Sequence, residues 1–271
     1  MILVGARVAD RAIVNPKLLE KRTSIIHIDI DPAEIGKNLE TTIPLVGDVS
    51  HILNQLMEQN PSGDRKEWID DIRRWKIELA SIKEDREGYV NPATFLQELS
   101  KKLDDDVIYV ADVGQNQMWS AGNHIVRKGR FLTSGGMGTM GYSVPAAMGA
   151  KAAFPNRQVV AVCGDGSFQM SLMELATMRQ HNIPIKIVVF KNGYLGLVRQ
   201  YQSDVYQSHF VGVDLDGSPN LEYIAKAYGF GFVRIKDMSE VKDGIDEFLK
   251  DNGPCLLECS VDPMESSKET R

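Results

Sequence analysis

The chain has 271 residues, 43% of them apolar and 25% charged, with a formal net charge of -6. That composition belongs to an ordinary globular protein with interior enough for one large domain or two modest ones, and it excludes a disordered chain. A net negative chain without a basic stripe repels nucleic acid and anionic lipid, so small-molecule ligands are expected; no apolar run reaches the roughly 20 residues of a membrane span and no signal segment opens the sequence, which reads as cytoplasmic.

Residues 1–5 form a strand-like run with no preceding cap or turn, as though continued from a longer protein. A helix is expected over 16–21 and a strand over 24–30, where Ser24-Ile-Ile-His-Ile-Asp-Ile30 has the β-branched character of a buried parallel strand. A helix over 49–59, a turn at 60–63 and a charged helix over 66–86 follow. Trp68, Ile72, Trp75 and Leu79 recur at helical spacing along the last, which reads as a linker helix on a domain surface.

From Tyr89 onward helix and strand alternate. Helices are expected over 92–103, 145–153, 167–181, 221–228 and 239–250, and strands over 107–111, 158–163, 185–190, 231–235 and 255–261, with a glycine-rich run at 134–141. This is the α/β pattern of an open parallel sheet with helices on both faces, in which ligands sit at the carboxyl ends of the strands. Cys163, Cys255 and Cys259 have neither disulfide nor zinc spacing and read as small buried hydrophobes.

The strand at 158–163 runs into Gly164-Asp165-Gly166-Ser167, and a helix follows. Glycines let the backbone approach a ligand closely, and free amides at a helix start favour an anion such as phosphate. Asp165 is badly placed beside an anion unless a cation lies between them. The next strand ends at Asn192; if the two strands are neighbours, their ends lie about 5 Å apart and both side-chain oxygens can reach one ion. With a main-chain carbonyl from the loop at Tyr194 the oxygen set suits magnesium. Two alternatives stand beside this reading. Gly136-Met-Gly138-Thr-Met-Gly141 fits the G-x-G-x-x-G pattern of a dinucleotide-binding Rossmann unit, and Asp165 and Asn192 can simply cap a turn and a loop.

The stretch from Gly164 to Asn192 resembles the signature of thiamine-diphosphate enzymes, which runs from Gly-Asp-Gly to a downstream asparagine. Gly164-Asp-Gly-Ser-Phe-Gln-Met170, Leu132-Thr-Ser-Gly-Gly-Met-Gly-Thr-Met-Gly141, Asp112-Val-Gly-Gln-Asn-Gln-Met-Trp119 and Leu195-Gly-Leu-Val-Arg-Gln200 are similar to the acetolactate synthase family, in its catalytic large subunit. So are Gly5-Ala-Arg-Val-Ala-Asp-Arg11 and His27-Ile-Asp-Ile-Asp-Pro-Ala-Glu-Ile-Gly-Lys-Asn38. The resemblance implies residues 1–60 as the carboxyl-terminal part of a central Rossmann-like domain associated with flavin adenine dinucleotide (FAD), 61–88 as a linker helix and 89–271 as the thiamine diphosphate domain.

It further implies a magnesium ion on Asp165, Asn192 and the carbonyl of Tyr194, with Val113, Gly114, Gln115, Asn116, Gly166, Ser167, Leu195 and Gly196 around the diphosphate. Gly138 would accept from the aminopyrimidine through its carbonyl, and Met140 would prop the cofactor in a bent shape unless it is a plain core methionine. Gly5, Arg7, Asp29, Asp48 and Val49 match FAD-contacting positions, where the flavin is structural; the plain alternatives are a surface arginine and a strand-end turn residue. The implied reaction decarboxylates pyruvate and joins the remainder to a second 2-keto acid, giving 2-acetolactate or its homologue for branched-chain amino acid synthesis. A homodimer or homotetramer is implied, with a separate regulatory subunit as a possible partner.

The sequence also departs from the family. The glutamate that activates the cofactor belongs to an amino-terminal domain not among these residues, so none of them is assigned a catalytic role and the chain by itself is expected to be inactive. Lys191 stands where asparagine is usual, Asn116 where histidine is common, and Tyr201 where a tryptophan biases the choice of second substrate; the tail from Pro263 to Arg271 differs from the usual closing segment. Another thiamine-dependent carboligase or decarboxylase, or a cofactor-binding or regulatory remnant without chemistry, also fits these departures.

Overall fold

Among the described residues every strand runs parallel to its neighbours, and the strands form two sheets, one in each of two units, Met1–Ala80 and Ser81–Arg271. The computed structural model describes residues 1–9, 13, 15–59, 61, 63–80 and 85–267.

In the first unit β1 (Ile2–Val4), α1 (Pro16–Arg22), β2 (Ile26–Asp29), β3 (Ile43–Val46), α2 (Val49–Glu58) and α3 (Lys66–Ala80) follow one another. The sheet order is β1-β2-β3, with Leu3 opposite His27 and Ile28 opposite Leu45. Asn15 caps α1 by accepting from Leu18 N, with Pro16 as its first residue, and Asp48 caps α2 by accepting from His51 N. Val8, Ile25 and Leu39 make a small core joined by Leu3, Ala6, Ile13 and Leu19. Strand β3 was not expected from the sequence, because Pro44 lacks the N–H a central strand needs; as the edge strand, β3 tolerates it. The charged helix expected to run to residue 86 is described as far as Ala80, residues 81–84 lie outside the described set, and Asp85 and Arg86 are not helical. The expected turn at 60–63 falls partly outside that set too.

The second unit runs α4 (Pro92–Lys102), β4 (Ile108–Ala111), α5 (Gln115–Asn123), β5 (Arg130–Thr133), α6 (Ser143–Ala153), β6 (Val159–Gly164), α7 (Asp165–Gln169), α8 (Glu174–Gln180), β7 (Lys186–Lys191), α9 (Gly196–Val205), α10 (Leu221–Tyr228), β8 (Gly231–Ile235), a 3₁₀ turn, α11 (Val241–Leu249) and β9 (Cys255–Ser260). The sheet order is β5-β4-β6-β7-β9-β8. Val160 and Val162 face one cluster, with Phe95, Leu99, Trp119, Ile245 and Phe248 from α4, α5 and α11. Val159, Ala161 and Cys163 face the other, with Val144, Ala147, Leu175, Met178 and Leu221 from α6, α8 and α10. Burial on both faces is why the central strands read as continuous β-branched runs instead of alternating ones. The sheet is therefore the expected open parallel sheet with helices on both faces.

This order places a switch point in the middle of the sheet. The chain leaves β4 for β5 on one side, and then returns to lay β6 against the other side of β4 and β7 beyond it. The loops after β4 and β6 thus diverge, opening a crevice at the carboxyl edge where ligands bind in such folds. The helix expected as one piece over 167–181 is two, α7 and α8, with the break at residues 170–173.

Candidate functional site

The crevice is a cleft lined from three strand ends. Val113, Gly114, Gln115, Asn116 and Trp119 come from the end of β4 and from α5; Gly164, Asp165, Gly166 and Ser167 come from β6 and α7. Phe190, Asn192, Tyr194, Leu195, Gly196, Leu197 and Val198 come from β7 and the start of α9, and Met140 from the glycine-rich loop.

Asp165 is 4% exposed, and its two carboxylate oxygens accept from Gly166 N at 3.0 Å and Gly193 N at 2.8 Å. Burial raises its pKa to about 6, offset in part by those N–H donors and by the Lys191 cation. Strands β6 and β7 are hydrogen-bonded neighbours, with Gly164 opposite Phe190, so Asp165 and Asn192 leave adjacent strand ends. The Asn192 amide oxygen accepts from Tyr194 N at 3.0 Å, and its Nδ2 donates to Gln115 Oε1 at 3.3 Å. The Ser167 hydroxyl closes the turn onto Gly164, accepting from its N–H and donating to its carbonyl, both at 3.1 Å. Asn116, buried, donates to the carbonyls of Asp112 at 2.8 Å and Val162 at 3.2 Å.

Two glycines leave room that a side chain would fill. A Cβ on Gly166 would lie 2.7 Å from Leu195 Cδ2 and 3.6 Å from Met140 Cε. On Gly196 it would lie 2.1 Å from Gln115 Oε1 and 2.6 Å from Asn192 Nδ2. Met140 belongs to neither core cluster and faces the cleft. Gly138 sits in the exposed loop before it at φ +70°.

Tyr201 is on α9, 56% exposed, with its ring edge-on to Tyr206 at 5.7 Å, and is not among the residues lining the cleft. Gly5, Arg7, Asp29, Asp48 and Val49 belong to the first unit. Gly5 follows β1, Asp29 ends β2, and Asp48 and Val49 follow β3, so three neighbouring parallel strands bring them to one sheet edge. Arg7 is exposed, and its carbonyl accepts from Asn38 Nδ2 at 2.9 Å.

Sequence reasoning gave no role to Asp112, which is fully buried at the end of β4. Its carboxylate accepts from Val113 N at 2.8 Å, Gly141 N at 3.0 Å and Ser143 N at 2.7 Å, tying the glycine-rich loop to the cleft wall. The signal was its place at the end of an apolar strand, where a buried carboxylate needs several N–H partners.

The dinucleotide alternative fails on topology. The G-x-G-x-x-G run follows β5, an edge strand that among the described residues pairs with β4 alone, whereas Asp165 follows β6, two strands away. Two strand spacings are about 10 Å, and a Rossmann acidic residue instead ends the neighbouring strand.

Comparison with known proteins agrees with the sheet and the cleft. Residues 112–259 match the thiamine pyrophosphate enzyme C-terminal TPP-binding domain, and residues 1–56 match the central domain of the same enzymes. The chain belongs to the thiamine pyrophosphate enzyme family. Within it, the chain is 37% identical to a probable acetolactate synthase large subunit of Methanocaldococcus jannaschii, over 98% of its own length and 47% of that protein's. It is 36% identical to the acetolactate synthase large subunit of Lactococcus lactis over 98% of its length and 46% of the relative's, and 35% identical to a probable large subunit of Methanococcus aeolicus over 97% and 47%. The chain spans about half the length of the curated relatives it matches.

Proposed function

We propose that the cleft holds thiamine diphosphate through a magnesium ion bound by Asp165, Asn192 and the Tyr194 carbonyl, and that the chain serves in an enzyme that joins pyruvate to a second 2-keto acid to give 2-acetolactate. The observation that carries this reading is a buried carboxylate and a carboxamide leaving adjacent strand ends beside the sheet's switch point. The donor set fits the ion: a carboxylate held ionised only against its burial gains from a divalent cation, and every donor is a hard oxygen.

Gly114, Gly166 and Gly196 leave a wall without side chains, so main-chain N–H groups and the Ser167 hydroxyl can approach a diphosphate closely, with Val113, Gln115, Asn116 and Leu195 beside them. Gly138 and Met140 then stand on the ring side, Met140 as an apolar prop against Gly166. When bound, thiamine diphosphate supplies an electron sink for the charge left when a 2-keto acid loses carbon dioxide. Leu195, Leu197, Val198 and Phe190 give that chemistry an apolar surround that limits water. Within the family likeness, the proposed working assembly is a homodimer or homotetramer. Gly5, Arg7, Asp29, Asp48 and Val49 are proposed to contact a structural FAD, on the support of their shared sheet edge.

A chimaera in which this chain replaces the matching segment of the Lactococcus lactis relative tests the reaction. Colorimetric assay with pyruvate should detect magnesium-dependent acetolactate, lost in Asp165→Ala. A chimaera that binds thiamine diphosphate yet releases only acetaldehyde would contradict the carboligase assignment and leave a decarboxylase.

A further inference from the structure

A chain of hydrogen bonds links the segment after β9 to Asn192. Its members have fixed polarity, because main-chain carbonyls can only accept. The carbonyl of Glu265 accepts from Gln115 Nε2 at 2.7 Å, and the same nitrogen donates to Gln200 Oε1 at 3.0 Å. Gln200 Oε1 also receives Ser267 N at 2.9 Å and Ser267 Oγ at 3.0 Å. Both hydrogens of the Gln115 amide are thereby used, and its oxygen has to face the other way. There it accepts from Asn192 Nδ2, which leaves the Asn192 oxygen towards the Tyr194 loop. A carboxamide is nearly symmetric in shape, so nothing but its partners decides which end a cation meets.

A second observation points the same way. The first residue of α9 is Gly196, and a Cβ there would strike both Gln115 Oε1 and Asn192 Nδ2, so the glycine keeps open the space in which these two amides meet. The segment itself has further anchors. Arg199 Nη1 donates to the Pro263 carbonyl at 3.0 Å, Trp119 Nε1 donates to the Ser266 carbonyl at 3.2 Å, and Arg86 pairs with Asp262.

We propose that Gln200 is a positioning residue: with the Glu265 carbonyl it fixes the Gln115 amide, and through it turns the oxygen of Asn192 to the cation. The inference rests on the reading of Asn192 as a magnesium ligand. Gln200 uses only its oxygen in this relay, so glutamate at that position keeps every acceptor and leucine keeps none.

The test is isothermal titration calorimetry of thiamine diphosphate with magnesium on the 271-residue chain, with thermal melting of each ligand-free variant as the check on folding. Gln200→Leu is expected to weaken magnesium-dependent binding by about 10- to 100-fold, the usual cost of losing a partner that orients a metal ligand. Gln200→Glu should stay close to wild type, and deletion of residues 263–271 should reproduce the leucine loss if Gln200→Leu fails to fold. Wild-type binding matched by Gln200→Leu or by the deletion, or a Gln200→Glu loss as large as that of leucine, overturns the relay alone. No magnesium-dependent binding by the wild type overturns the reading of the site and the relay with it.

Discussion

Asp165 carries the largest electrostatic cost in the cleft. Its folded pKa, about 6, lies above the ordinary value of 3.8, so between these limits the native state binds more protons than the unfolded one. Stability from this group is therefore present at low pH and falls as pH rises through that window. The stability of wild type relative to Asp165→Ala, from denaturant melts of the ligand-free chain, should fall by on the order of 2–3 kcal/mol between pH 4 and pH 7. A pH-independent difference would remove the argument that a cation relieves this burial. His124 has the opposite sign. Burial, then the nearby Arg127 cation, lowers its pKa from 6.5 to about 4, while its ring stacks on Tyr109 at 4.0 Å between centroids. The native state holds fewer protons across that window, so stability is lost as pH falls from 6.5 to 4. His124→Phe should keep the stack and flatten that acid loss, read as melting temperature at pH 7.5 and pH 4.5.

Elements with strong local signals were legible in the sequence, and those shaped by their neighbours were not. The runs that became β6, β7 and β9 are apolar over most of their length because both faces are covered. Asn91-Pro92 and Asn220 with Gly229 mark helix ends by chemistry that acts locally, Gly229 at φ +70° closing α10. Strand β5 was missed because Arg130-Phe-Leu-Thr133 is short and half-exposed at a sheet edge, and α5 because its amphipathic pattern is weak in Gln115-Asn-Gln-Met-Trp-Ser-Ala-Gly-Asn123. The break between α7 and α8 contains neither glycine nor proline, so nothing local announces it. In the cleft, the spacing of Asp165 and Asn192 was readable, whereas the acceptor role of Asp112 and the opening at Gly196 depend on residues far away in sequence. Gly129 is another long-range constraint. A Cβ there would lie 2.0 Å from the Val107 carbonyl oxygen, beside the Arg130 N–H bond that starts the β4–β5 pairing. Gly129→Ala should cost about 1–3 kcal/mol, as overpacking against atoms that cannot yield does, and a neutral result in a denaturant melt would show that this edge shifts freely.

At the scale of the whole chain, the cleft and the relay lie within one unit. Every residue lining the cleft falls between Val113 and Val198, the relay ends at Ser267, and both main core clusters belong to Ser81–Arg271. Residues 81–271 produced alone should therefore melt cooperatively and respond to thiamine diphosphate and magnesium as the 271-residue chain does. Loss of that response in a folded 81–271 protein would mean that the first unit contributes to the site.

The central claim is that Asp165 and Asn192 hold a magnesium ion against thiamine diphosphate, and calorimetric titration of the cofactor into the 271-residue chain tests it most directly. With magnesium present, saturable binding is predicted, lost when a chelator is added and lost again in Asp165→Ala, while NAD produces no comparable heat. Binding that survives both the chelator and Asp165→Ala, or that NAD matches, would contradict it.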